Sequence, residues 1–305
     1  MNTMNNIVEK LKCVTPAILT PLNKDETIDE MGLRRVVRNV VDAGMKTIFA
    51  LGYTGEVRAF AKEERRRVIE IVRDEAGADI LIVAGALGDS TLLIEEHCEA
   101  AYEAGADMVL ITPTDFFFLN DTELEELFVR LNDTVKLPIM IYNCPENHHY
   151  VTPDMLSRLS KLEKIQALKQ STTTDKIQSI LLKVDPKENF IMVSGDEFEF
   201  FPAMCLGVEG FIMGGPGNIT PGMCVSMLES YKKGDFEAAR AEYMRFVAFY
   251  EELYNSLPYN VIAVIKAAME VLGVCDRQMR HPVRSVSDQD MEKIREMMIR
   301  HGILK

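Results

Sequence analysis

The chain has 305 residues, 47% of them hydrophobic and 27% charged, with a formal net charge of −13. The composition is that of an ordinary globular protein, long enough for one large α/β barrel or two smaller domains. So acidic a chain is a poor partner for nucleic acid or anionic lipid, and no run reaches the roughly 18 uncharged apolar residues of a membrane span.

The first stretch, MNTMNNIVEKLK, has no apolar h-region, so no signal peptide is expected. Cys13, Cys98, Cys144, Cys205, Cys224 and Cys275 are scattered and form no CxxC pair. Reduced, mostly packed thiols in a cytoplasm are the expectation. Apolar, β-rich runs then recur near residues 13–19, 46–51, 80–84, 107–112, 137–143, 164–169, 189–194 and 209–214. Such short, nearly continuous runs suit parallel strands buried on both faces. Between them lie amphipathic helical stretches, roughly 29–43, 62–75, 90–104, 121–135, 153–160, 174–184 and 197–206. Asn120-Asp121-Thr122 and Thr152-Pro153-Asp154 are helix start signals.

An internal repeat ties these units together. DAGMKTIFALG (42–52), EAGADILIVAG (75–85) and EAGADMVLITP (103–113) share one design, and LGVEGFIMGG (206–215) is a looser copy. Each has a helix tail, a glycine that ends the helix in the left-handed conformation, and then a strand. Eight strands alternating with helices predict a (β/α)₈ TIM barrel over 1–220. A doubly wound open sheet competes less well, because no GxGxxG or GxxxxGK[ST] loop occurs. Residues 221–305 read as helices only, near 221–233, 235–256, 258–272 and 288–300, and form a C-terminal helical domain.

Barrel active sites lie at the C-terminal ends of the strands. Strand 2 ends in Leu51-Gly52-Tyr53-Thr54-Gly55-Glu56, and strand 5 in Tyr142-Asn143-Cys144-Pro145. Strand 6 ends in Lys169-Gln170-Ser171, strand 7 in Ser194-Gly195-Asp196-Glu197, and strand 8 runs through Ile212 into Gly214-Gly215. Lys169 therefore ends an apolar strand at the barrel mouth. Desolvation there pulls its pKa down. Moving it from about 10.4 toward 7 costs about 4 to 5 kcal/mol, at roughly 1.4 per unit. The neutral amine is the form that attacks a carbonyl to give a Schiff base. The competing reading is a rim lysine paired with a carboxylate. Tyr142, one strand over, suits the shuttling of a proton to and from the carbinolamine oxygen; otherwise it is a packed rim tyrosine. In GYTGE two glycines bracket Tyr53 and Thr54. The Thr54 hydroxyl and the amides around Gly55 make a small anion nest suited to a keto acid's carboxylate, although many tight turns look alike.

GYTGE, YNCP, LKQS and SGDE, in that order at those strand ends, resemble the dihydrodipicolinate synthase/N-acetylneuraminate lyase family. The resemblance runs from about residue 10 to 300. It implies a pyruvate-dependent class I aldolase, a lyase, on a (β/α)₈ barrel with a C-terminal helical domain. By position, Lys169 matches the Schiff-base lysine, Tyr142 the proton-shuttling tyrosine and Thr54 the carboxylate grip. Ile212 matches the strand-8 residue whose backbone faces pyruvate. Asp196, with Glu197, sits where lyases bind sugar hydroxyls, although acids there also complement a helix dipole. Ser194 is counted with these substrate-binding residues. The resemblance further implies a homotetramer and no metal or organic cofactor, the substrate being held as a covalent imine on Lys169.

Three departures concern the second substrate. Synthases carry an arginine two residues after the YNxP proline; Asn147 stands there, with Glu146 beside it. Asparagine offers no bidentate grip on a carboxylate. Tyr53 replaces the usual first threonine or serine of the strand-2 turn. The loop Pro113-Thr114-Asp115-Phe116-Phe117-Phe118 lacks the relay tyrosine, which Tyr53 is a candidate to replace. His148 and His149, adjacent in sequence, point apart and do not suggest a metal site, and the phenylalanine cluster reads as packing or a subunit contact. The sequence thus favours cleavage or formation of a C–C bond between a 2-oxo acid and a hydroxylated aldehyde. The alternatives are 4-hydroxy-tetrahydrodipicolinate synthase with an altered acceptor site, a dehydratase using the same imine, and a catalytically silent keto-acid-binding barrel.

Overall fold

The computed structural model describes residues 3–113, 117–144, 149–184 and 190–304, with side chains from residue 7 onward. Every expected apolar run holds a strand: β1 (Val14–Pro16), β2 (Thr47–Ala50), β3 (Leu81–Leu87), β4 (Met108–Thr112), β5 (Ile139–Asn143), β6 (Ile165–Gln170), β7 (Ile191–Ser194) and β8 (Gly210–Met213). They form one sheet in the order β1-β8-β7-β6-β5-β4-β3-β2. The successive strand pairs from β3 to β8 are all parallel. The Thr15 and Thr47 hydroxyls bond to each other, linking the first and last strands of that order. This is the (β/α)₈ barrel, with helices at the C-terminal end of the chain.

A helix that the sequence reading missed, α1 (Thr3–Leu11), precedes β1. The connecting helices are α2 (Glu30–Asp42), α3 (Lys62–Ala76), α4 (Thr91–Glu103), α5 (Asp121–Thr134), α6 (Pro153–Leu159), α7 (Thr174–Leu181) and α8 (Phe200–Cys205). Their starts follow from local chemistry. The Asn120 side chain accepts from Glu123 N while Glu123 reaches back, and Thr152 caps α6 just before Pro153. Their ends follow the repeat: Gly44, Gly77, Gly105 and Gly207 all have φ between 77° and 92°, where a side chain would strain the turn.

The chain divides into two compact units. The first comprises residues up to Thr15, Lys46–Phe49 and Ala78–Ile212, and holds most of the sheet and α4 to α8. Its core is the interior of nearly continuous apolar strands, such as Met108, Val109, Leu110 and Ile111 of β4. The second comprises Pro16–Met45, Ala50–Gly77 and Met213 onward. It contains α2, α3, a short 3₁₀ turn (Val57–Ala59), and α9 (Gly215–Ile219), α10 (Pro221–Lys232), α11 (Phe236–Asn255), α12 (Val261–Val271) and α13 (Asp288–Arg300). Phe246, Phe249 and Tyr250 of α11, with Tyr250 packed against both phenylalanine rings, are buried in its core together with Leu253.

Candidate active site

All six residues of β6 are buried, including the lysine near its end. Its pairing with β5 contains an irregularity. Ile139 pairs with Ile165, but Met140 pairs with Ala167, so Gln166 is an extra residue. A bulge of this kind shifts the register beyond it by one residue. Continued without it, the first pairing would set Lys169 opposite Asn143; instead Lys169 stands opposite Tyr142. The Lys169 Nζ lies 4.3 Å from the Tyr142 ring centroid and 5.4 Å from that of Phe49 on β2. Lys169 is 7% exposed. The two ring faces supply part of the electrostatic contact that water would otherwise give an amine.

The register extends this face to the neighbouring strands. Lys169 pairs with Val193 of β7, and Val193 with Gly210 of β8. By strand alternation Ile212, two residues beyond Gly210, shares the face of Lys169. Ser194 does not: it pairs with Gln170 and lies on the opposite face. That face is tied together by Asn143, whose amide donates to Val151 O (2.9 Å) and Gln170 Oε1 (3.2 Å) and whose Oδ1 accepts from Val151 N (3.0 Å). Gln170 donates to Thr172 (2.6 Å) and to the Tyr150 hydroxyl (3.3 Å). Burial pushes the Tyr150 phenol above its ordinary pKa, against that hydrogen bond. These bonds tie Tyr150, Val151 and Thr172 to the ends of β5 and β6.

Two residues that the sequence reading passed over complete the surroundings of the amine. A Cβ on Gly195 would lie 2.4 Å from Lys169 Cε and 2.3 Å from Ser171 Oγ. Those two atoms are therefore within about 4.7 Å of each other, the sum of the two distances. Only glycine permits that approach. The Ser171 Oγ is buried and has no hydrogen-bond partner among the described residues. The signal for Ser171 was present in the sequence: it follows Lys169 by two, the period of a strand face.

The remaining candidates are placed as follows. Asp196 accepts from Phe198 N (2.9 Å), bracing the turn before α8. Asn147 and His148 lie outside the described residues. His149 is buried, with its ring nitrogen Nε2 2.6 Å from Phe117 O, so it ties two loops together. In the second unit, Tyr53 is exposed and Thr54 half-buried. The Thr20 hydroxyl donates to Gly55 O (2.9 Å). A cavity of about 340 Å³ beside Ser90, Phe117 and Arg130 contains none of the candidate residues. Among the described residues no cluster of three or more His, Cys, Asp or Glu is arranged to hold a metal, and no helix is long and apolar enough to cross a membrane.

Comparison with known proteins adds the family. Residues 10–300 match the dihydrodipicolinate synthetase family. The 4-hydroxy-tetrahydrodipicolinate synthase of Methanospirillum hungatei is 30% identical over 293 residues, covering 94% of this chain and 98% of that protein. The crystal structure of dihydrodipicolinate synthase from Aquifex aeolicus superposes with a TM-score of 0.86 at 29% identity, covering 95% of this chain and 98% of that one. A prophage protein of the dihydrodipicolinic acid synthase family from E. coli K12, solved in complex with pyruvate, has the same fold. Its TM-score is 0.87 at 22% identity, with 96% of this chain and 99% of that one covered. The chain belongs to the dihydrodipicolinate synthetase family.

Proposed function

We propose that this lyase condenses the Lys169 amine with pyruvate or a related 2-oxo acid. The observation that carries the reading is the buried Lys169 amine set 4.3 Å from the Tyr142 ring. In the proposed reaction the amine nitrogen bonds to the C2 carbonyl carbon. The carbonyl oxygen takes a proton through the Tyr142 hydroxyl and leaves as water, giving the imine. Loss of a proton from C3 gives the enamine. Its C3 then bonds to an aldehyde carbon, whose oxygen takes up a proton, and water returns to C2 to release the product and free Lys169. Cleavage is the reverse sequence. Thr54, Gly55 and the neighbouring amides are the proposed grip on the 2-oxo acid's carboxylate, with Tyr53 and Asp196 serving the second substrate. Ile212 shares the face of Lys169 and is the proposed backbone neighbour of the bound keto acid. The complex with pyruvate in the E. coli relative supports pyruvate as the donor.

For the second substrate we favour a hydroxylated aldehyde, because Asn147 stands where a carboxylate-binding arginine is expected. Condensation with aspartate semialdehyde is the second reading, favoured by the names of the relatives. The assembly is proposed to be a homotetramer by family likeness, with the imine on Lys169 in place of any cofactor. Turnover of pyruvate with a panel of aldehydes tests the choice. Products with sugar-derived aldehydes support the first reading, and ring closure with aspartate semialdehyde the second. An imine that never turns over leaves a keto-acid binder.

A further inference from the structure

The strand-2 turn of the second unit is held in an uncommon backbone conformation. Two of its non-glycine residues, Leu51 (φ 59°) and Glu56 (φ 55°), lie in the left-handed region. Such conformations persist only where the surroundings over-determine them, and they cluster at functional sites. Local bonds account for part of the restraint: Glu56 N donates to Tyr53 O (3.0 Å) and Val57 N to Gly52 O (3.2 Å). The rest comes from far along the chain. Glu56 forms an ion pair with Lys266 of α12, whose Nζ also donates to Gln278 O (2.9 Å). The Lys266 side chain is 0% exposed and that of Glu56 8%.

A pair buried this deeply is weak evidence for stability, since apolar residues of similar volume often serve a fold as well or better. Burial pulls the Lys266 amine below its ordinary pKa, against the pull of Glu56. The pair is therefore a burden on the fold that sits at one end of the turn carrying Thr54. We infer that Lys266 and Glu56 are positioning residues. Their buried ion pair locks the turn Gly52–Glu56 so that the Thr54 hydroxyl and adjacent amides are preset for a carboxylate. The assignment rests on the function proposed above for that turn.

The test uses the full-length double variant Glu56→Gln/Lys266→Met, which removes both charges together and leaves neither unpaired. Three quantities are read: the thermal midpoint, amide hydrogen exchange across residues 51–57 without ligand, and the pyruvate concentration that half-saturates borohydride trapping at Lys169. The midpoint should stay within about 5 °C of wild type. Exchange across the turn should accelerate about tenfold, and half-saturation should rise about tenfold or more, the scale of a lost charge-assisted contact. The trapping rate at saturating pyruvate should change less than about threefold, since the amine itself is untouched. Glu56→Gln alone, which keeps the shape and an acceptor for Lys266 but leaves its charge without a counter-ion, should move both readouts in the same direction and lower the midpoint further than the double variant does. In a folded variant, either readout remaining at the wild-type value overturns the inference. A wild-type chain that traps no pyruvate sinks the proposed function instead, and the exchange measurement then decides the role of the pair by itself.

Discussion

Tyr142 and Lys169 are register partners across β5 and β6, and the lysine amine lies 4.3 Å from the tyrosine ring centroid. One extra residue, Gln166, brings them opposite each other. The apposition is therefore a property of the backbone, set before any side-chain rotamer is chosen.

Tyr142→Phe keeps the ring over the amine and deletes only the hydroxyl. If that hydroxyl carries the proton, imine formation should slow by about 10²- to 10⁴-fold, the usual range for a lost general acid–base. The fold should be unchanged. Stopped-time borohydride trapping measures the rate, and a wild-type rate in the variant would remove Tyr142 from the mechanism.

Gly195→Ala places a methyl group 2.4 Å from Lys169 Cε and 2.3 Å from Ser171 Oγ. Overpacking of this kind costs about 1–3 kcal/mol. Relief of the contact requires the lysine to move. Urea unfolding should show the stability loss, and pyruvate trapping should fall further than that loss explains. Full trapping in the alanine variant would mean that the position of the amine is less constrained than the contact distances imply.

Thiol labelling tests the packing independently of function. Burial pushes the Cys98 and Cys275 thiols up to about 12, so almost no thiolate is present at pH 8. Cys205 is exposed. A colorimetric disulfide reagent should modify Cys205 rapidly in the native protein and reach Cys98 and Cys275 only on unfolding. Peptide mapping after a short exposure checks the assignment.

Acid stability has a specific contributor at the start of α13. Asp290 is held down to about 2 by Lys293 first, then by the Tyr259 and Ser287 hydroxyls. Its folded-state pKa lies below the ordinary carboxylate value. Its contribution is therefore present above about pH 4 and is lost as the pH falls toward 2. Asp290→Asn should be less stable than wild type near neutrality, and the gap should close between pH 4 and 2. Urea midpoints across that range give the difference, and a gap that stays constant with pH would contradict the assignment.

Much of the architecture was legible because buried parallel strands write nearly continuous apolar runs, and helix-ending glycines recur three or four residues before β2, β3, β4 and β8. β6 shows the limit of that reading. Its composition located Lys169 at the end of a strand, but periodicity does not reveal a bulge, because Gln166 looks like any other residue in an apolar run. The partners of the amine then depend on register. That is why Tyr142 was found from strand order, while Phe49 and Gly195 emerged only from coordinates; Ser171, two residues beyond Lys169, carried a strand-period signal that went unread. Ser194 illustrates the converse: it ends the right strand, yet pairing with Gln170 turns it to the other face. The Lys266–Glu56 pair was invisible for a different reason. Its members are 210 positions apart, and a lone lysine within an apolar helix gives no sign of which carboxylate it meets. The family resemblance supplied the chemistry of the strand ends, and the match over residues 10–300 bears out that family.

The central claim is tested most directly by incubating the protein with pyruvate, reducing with borohydride, and mapping the modified residue by peptide mass spectrometry, with Lys169→Ala alongside. The account predicts a single covalent adduct on Lys169 and none in a folded alanine variant. An adduct on another lysine, or no adduct in the wild-type protein at saturating pyruvate, would contradict it.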